Sequence, residues 1–199
     1  MAKKRIAILI SGRGSNMASL IEAAKAPEYP AEIALVVSNR PGAEGIGRAQ
    51  AHGVVTAVVD HTNFGADREA FERAMQSVLE EHRIELVCLA GFLRLLTPWF
   101  VQKWEGRMLN IHPSLLPAFK GLHTHERALA EGARIHGATV HFVAAEMDSG
   151  PIIAQGKVPV LEGDTPQKLA ARVLEVEHMI YPAALRKVAE GSARIDKPI

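Results

Sequence analysis

The apolar run Ile6-Ala7-Ile8-Leu9-Ile10 breaks off at Ser11-Gly12-Arg13-Gly14-Ser15-Asn16, and that junction restricts the fold more than any other feature of the chain. The run is too short to cross a bilayer, which needs about 20 apolar residues, and its β-branched content suits a strand buried on both faces. The glycines that follow permit a sharp turn into a helix, so the first unit reads as strand, turn and helix. The alternation then continues. Strands are expected at Arg5–Ile10, Ile33–Ser38, Val54–Val59, Leu86–Ala90 and Met108–Ile111, with helices after Asn16, over Ala43–His52, over Arg68–His82 and from Pro98. Phe71, Met75, Val78 and Leu79 give the longest of these helices its apolar face. Strands alternating with helices predict an α/β fold: a Rossmann-like, mostly parallel twisted sheet with flanking helices, in a single domain spanning residues 1–199.

After Asn110 the character changes. Pro113, Pro117 and Gly121 punctuate a stretch without periodicity, which reads as a long functional loop too polar and broken to be core. Two further strands, Ala138–Ala144 and Ile152–Val160, flank a turn at Asp148-Ser149-Gly150-Pro151, and a helix over Thr165–Glu190 closes the fold. Ligands of open α/β sheets sit outside the carboxyl ends of the strands, so Ser11–Asn16, Gly91–Arg94 and the segment from Asn110 onward should converge there.

Composition excludes several classes of function. With 23 basic and 22 acidic residues the formal charge is +1, which supplies no broad field for a nucleic acid or an anionic membrane. Lys3-Lys4-Arg5 is too short for a basic tail, and no small-residue cleavage site follows the first apolar run, so export is not expected and a cytoplasmic location is. The single cysteine, Cys88, rules out an internal disulfide and lies in the apolar run Leu86-Val87-Cys88-Leu89-Ala90, as a buried structural thiol would.

The glycine-rich turn presents backbone N–H groups at a helix start, where a phosphate is the natural guest. Ser15 and Asn16 can cap that helix and donate to phosphate oxygens. A dinucleotide fingerprint would need a glycine at Met17 and an acidic residue after the second strand, where Ser38-Asn39-Arg40 stands. A Walker loop would need Gly-Lys-Ser/Thr, which is absent. A single phosphate at Gly14-Ser15-Asn16 is the functional reading, and a tight turn without a ligand is its alternative.

Asn110 and His112 lie two apart at a strand end, so their side chains point the same way and can address one atom. An amide donor beside an imidazole suits a tetrahedral acyl intermediate, whose oxygen gains negative charge while a proton moves. The same pair could simply satisfy loop backbone. Asp148 could be an Asx-type turn former, or it could favour the charged form of His112 and share in proton transfer. His123-Thr124-His125 with His112 and His141 raises the question of zinc, but no Cys or His-Glu-x-x-His set accompanies them and no metal is expected. His125 is expected instead to open the helix around Glu126–Glu131, either as a cap or as a residue supporting the site from behind.

Ile10–Asn16, Leu89–Arg94, Leu109–Pro117, Gly121–His125, Gly137–Phe142, Asp148–Ile152 and Glu177–Pro182 fall in the order and spacing of the folate-dependent formyltransferase family, which the chain resembles along almost its whole length. The resemblance implies transfer of a formyl group from 10-formyltetrahydrofolate, as co-substrate, to the amine of glycinamide ribonucleotide in purine biosynthesis, by a monomer or homodimer. It implies that Asn110, His112 and Asp148 are catalytic, that Gly14, Ser15 and Asn16 hold the phosphate with Arg68, and that Glu177 meets the ribose. The folate would lie against Arg94, Leu96 and the segment Ala144, Ala145, Glu146, Met147 and Asp148. On that basis nucleotide binding belongs to residues of about 1–100, and folate binding and catalysis to about 101–190.

Two positions depart from the family pattern. Leu174 replaces a longer polar residue, and Ser149 replaces a glycine, which matters only if the turn needs positive φ there. A formyltetrahydrofolate hydrolase shares the transfer core but adds an N-terminal regulatory domain and lacks the glycine-rich turn. Methionyl-tRNA formyltransferase adds a C-terminal domain and a more basic charge. A non-catalytic nucleotide-binding module would account for the turn but not for Asn110, His112 and Asp148.

Overall fold

Residue parity in the first strand divides the core in two. Successive side chains of a strand point to opposite faces, and in β1 (Lys4–Ile10) the residues Ile6, Ile8 and Ile10 pack into one apolar cluster while Ala7 and Leu9 pack into another. All five are fully buried, as a strand covered by helices on both faces requires. The first cluster takes in Met17, Leu20 and Ile21 of α1 (Ser15–Ala24) and Leu169, Val173, Tyr181 and Leu185 of α6 (Pro166–Ala189). The second takes in Phe71, Met75 and Leu79 of α3 (Arg68–Glu81) with Phe100 of α4 (Pro98–Lys103).

The computed structural model describes residues 2–195; the expected domain limits at 1 and 199 lie outside them. The remaining strands and α-helices are β2 (Ala31–Ser38), α2 (Glu44–Ala51), β3 (Thr56–Val58), β4 (Leu86–Leu89), β5 (Met108–His112), α5 (Thr124–Ala130), β6 (Ile135–Phe142) and β7 (Ile152–Pro159), with a short 3-10 helix at His61–Phe64. They form a seven-stranded sheet in the order β3-β2-β1-β4-β5-β6-β7. Pairings among β1 to β5 are parallel, and β6 and β7 are antiparallel to their neighbours. The sheet is therefore mostly parallel, as expected. From β3 at one edge the chain returns to β4 on the far side of β1, which opens a crevice at the carboxyl ends of β1 and β4.

Two sequence expectations need correction. The third strand is only Thr56–Val58, since just these residues pair with β2 at the sheet edge, and β6 begins at Ile135 and not Ala138. The segment after His112 is also less exterior than its prolines suggest. Ser114 is fully buried and Leu116 nearly so. Thr139 on β6 accounts for this: its Oγ1 donates to Ser114 O at 2.7 Å and accepts Leu116 N–H at 3.0 Å, while Gln155 donates to Leu116 O at 2.9 Å. Backbone polar groups satisfied this way can be buried without a regular element.

Tyr181 ties α6 to the sheet. Its hydroxyl lies 3.0 Å from Leu89 O and 3.3 Å from Leu109 O, bridging β4 and β5 behind the carboxyl-end crevice. Cys88 is buried in the same cluster, and burial pushes its thiol up to about 12, as the structural reading requires. No described helix is long and apolar enough to cross a membrane.

Candidate active site

Gly14 occupies the N-cap of α1 with φ 71°, a left-handed conformation, and a Cβ there would stand 3.2 Å from Gly45 Cα. Ser15 and Asn16 do not cap the helix, contrary to expectation, because they are already inside its first turn. Among the described residues, the N–H groups from Gly12 through Met17 donate to no protein acceptor. That row of unpaired donors at a helix start suits an anion. A cleft of about 370 Å³ lies alongside, lined by Ser11, Gly12 and Arg13 on one side and Arg40, Gly42, Ala43 and Glu44 on the other.

The Asn16 side chain turns inward, where its Nδ2 donates to Glu177 Oε2 at 2.6 Å. Glu177 is buried, and burial raises its carboxyl while the bond from Asn16 acts the other way. Helical periodicity in α6 puts Glu177 on the face that also buries Val173 and Tyr181, which is how a residue 161 positions later meets the turn. Leu174 lies on α6 one turn earlier and is half-buried. Arg68 opens α3, is exposed, and makes no ion pair or side-chain hydrogen bond among the described residues; the structure does not join it to the turn.

The second group gathers where β5 ends. Asn110 pairs with His141 across the β5–β6 ladder, and its Nδ2 lies 3.2 Å from His141 Nε2. His141 Nδ1 is 2.8 Å from Phe142 O, a contact that needs a proton on Nδ1 and leaves Nε2 as acceptor. Burial lowers the affinity of this ring for a second proton. His141 therefore fixes the Asn110 amide with one N–H spent and the other free, a role the sequence reading did not assign. Pairing register was the missing signal, since the two positions lie 31 residues apart.

His112 points to the same side as Asn110, as the period-2 argument required. Its Nε2 donates to Phe119 O at 2.9 Å and its Nδ1 faces Asp148 Oδ2 at 3.5 Å. The latter distance is within ion-pair range and longer than an ordinary hydrogen bond, so Nδ1 stays open to an incoming oxygen. Asp148 Oδ1 lies 3.9 Å from His141 Nε2, and Oδ2 accepts the Gly121 N–H at 2.9 Å. Asp148 itself carries φ 52°, a conformation that Asp and Asn tolerate better than other side-chain-bearing residues. Positive φ thus falls on Asp148 and not Ser149, so the serine is unstrained, and its hydroxyl donates to Glu146 O at 2.7 Å. Gly150 completes the turn, because a Cβ there would come within 1.8 Å of Phe142 O.

Arg94 is half-buried without an ion pair among the described residues, and Leu96 packs on the α3–α4 side of the core. Of the segment after β6, Ala144 is half-buried, while Ala145, Glu146 and Met147 are exposed, Glu146 pairing with Lys120 at 3.3 Å. No group of three or more His, Cys, Asp or Glu among the described residues is placed to hold a metal ion.

His125 does not cap α5. The N-cap is His123, which makes no side-chain cap bond, and His125 instead meets the buried His136 edge to face at 5.2 Å. Burial, reinforced by the neighbouring rings, pushes His136 down to about 4. A histidine kept neutral in the fold but free to charge when unfolded makes stability fall as pH drops from about 6.5 towards 4. The melting temperature should decline across that window, and by at least about 2 °C less in a His136→Gln variant, the shift expected for roughly 1 kcal/mol in a chain of this size. Equal pH slopes in the two proteins would refute the assignment.

Comparison with known proteins agrees with this geometry. Residues 4–185 match the family described as Formyl transferase. The chain is 43% identical over 190 residues to the phosphoribosylglycinamide formyltransferase of Escherichia coli, covering 96% of this chain and 89% of that one. It is 52% identical to a crystal structure of phosphoribosylglycinamide formyltransferase from Brucella melitensis, with a TM-score of 0.90 and coverage of 94% and 96%. The trifunctional purine biosynthetic protein adenosine-3 of Gallus gallus is 52% identical over 193 residues, which is 97% of this chain but only 19% of that protein. A match over nearly all of the sheet and its flanking helices, joined to a site where the motif residues meet, leads to one conclusion: the chain belongs to the formyl transferase family.

Proposed function

We propose that the chain transfers the formyl group of 10-formyltetrahydrofolate to the amine of glycinamide ribonucleotide, as one cytoplasmic formyltransferase domain. The observation that carries this reading is the convergence of Asn110, His112 and Asp148, with His141 behind them, at the carboxyl end of β5. The amine nitrogen attacks the formyl carbon and the C=O electron pair moves to oxygen. Asn110 offers its free N–H, and protonated His112 offers Nδ1–H, to that developing oxyanion. The bond from carbon to the folate nitrogen then breaks. The proton lost by the attacking amine passes by way of Asp148 or a water beside it to the leaving nitrogen. The phosphate rests on the N–H row from Gly12 to Met17 and the ribose reaches Glu177, whose carboxylate is held ready by Asn16. Arg94, Leu96 and the 144–148 segment form the folate wall. The chemistry asks for no metal.

The test is folate absorbance in mixtures of the protein with 10-formyltetrahydrofolate, with and without the nucleotide. Transfer gives a change only when the nucleotide is present. A change without it marks a hydrolase, and binding without change marks a non-catalytic module. In calorimetry the acceptor lacking its phosphate should bind at least about tenfold more weakly, the loss expected for charge-assisted hydrogen bonds.

A further inference from the structure

The carboxyl ends of β1 and β4 are joined by one side chain that the chemistry above does not use. Ser11, the first residue after β1, donates its backbone N–H to Gly91 O at 3.1 Å, and its Oγ accepts the Leu93 N–H at 2.8 Å. It therefore clasps the loop after β4 at two points. The Ser11 hydroxyl proton goes to Asn39 Oδ1 at 2.6 Å, which turns the oxygen lone pairs towards Leu93. Asn39 stands at the end of β2, where dinucleotide enzymes place the acid that reads ribose. Here it is 1% exposed and Ser11 is 3% exposed, so both side chains are almost wholly buried and spent on each other and on the loop after β4. His61 completes the chain of contacts, its Nδ1 lying 2.8 Å from Asn39 O. Leu93 is 63% exposed, yet its N–H is held by this buried relay. The relay runs from the turn proposed for the phosphate to the loop that carries Arg94, proposed for the folate.

We propose that Ser11 is a positioning residue that sets the Gly91–Arg94 loop for the formyl donor, with Asn39 orienting its hydroxyl. The assignment rests on the proposed function for its kinetic consequence but not for its structural one. In Ser11→Ala the Leu93 amide should exchange with solvent about tenfold faster, as expected when one buried hydrogen bond is lost, while amides of the central strands keep their protection. The KM for the formyl donor should rise about five- to tenfold, with kcat within threefold and the nucleotide KM within twofold. Ser11→Thr keeps the hydroxyl and should retain near wild-type values in each measurement. Unchanged Leu93 exchange in folded Ser11→Ala overturns the relay, and so does a fall in kcat with equal rises in both KM values, which is what general loosening would produce. A Thr variant that behaves like the Ala variant also overturns it. If the wild-type protein transfers no formyl group, the proposed function fails, and Leu93 exchange in the same variants still decides the relay.

Discussion

Asp148→Asn should lower turnover by at least about 100-fold, roughly 2.7 kcal/mol of barrier, while the KM for the nucleotide stays within a few fold. The substitution is nearly silent in structure. Asn accepts the left-handed φ of 52° as readily as Asp, and its amide oxygen can still accept the Gly121 N–H. What disappears is the negative charge 3.5 Å from His112 Nδ1 and the oxygen able to take a proton. A plain turn former would lose almost nothing. Retention of more than about a tenth of wild-type turnover in a folded variant would sink the catalytic role, since about 1.4 kcal/mol is too little for a principal acid–base partner. Circular dichroism and thermal melts accompany the kinetics, because displacement of the Gly150 turn would mimic a chemical defect.

Asn110→Ala should cost about 100- to 1000-fold in turnover, the range for removal of one oxyanion donor. His141 Nε2 holds one amide hydrogen of Asn110, and the second is free on the side shared with His112. A donor placed beforehand needs no reorganisation as charge builds on the formyl oxygen, so its loss should appear in kcat and leave both KM values within a few fold. Were Asn110 present only to satisfy His141, turnover would change by less than about threefold and the effect would appear in thermal stability. Comparing kcat with the melting temperature separates the two roles.

Much of the architecture was legible in the chain because its signals are local. The Ile6–Ile10 run, the glycine turn and the apolar spacing of Phe71, Met75 and Leu79 each act within one element, and each appears as read. Asn110 and His112 share a side for an equally local reason, the two-residue repeat of a strand. The errors fall where an outcome depends on a distant partner. The Ser114–Leu116 stretch is interior because Thr139 and Gln155 satisfy its backbone, and proline content cannot report that. Asn16 faces Glu177, and His125 faces His136, because helices and strands remote in sequence pack there.

Sequence alone thus determined the element types, the parallel character of the sheet's first half and the identity of the chemically able residues, since backbone propensity and side-chain periodicity operate over a few positions. Only the tertiary structure decided that His141 orients Asn110, that Asp148 and His112 meet at ion-pair distance, and that Ser11 clasps the loop after β4. Those pairings are set by strand register and by the return of the chain across β1, which bring residues 31, 36 and 82 positions apart to within a few ångströms. Distances of that kind depend on how the whole core packs, and no short stretch of residues encodes them.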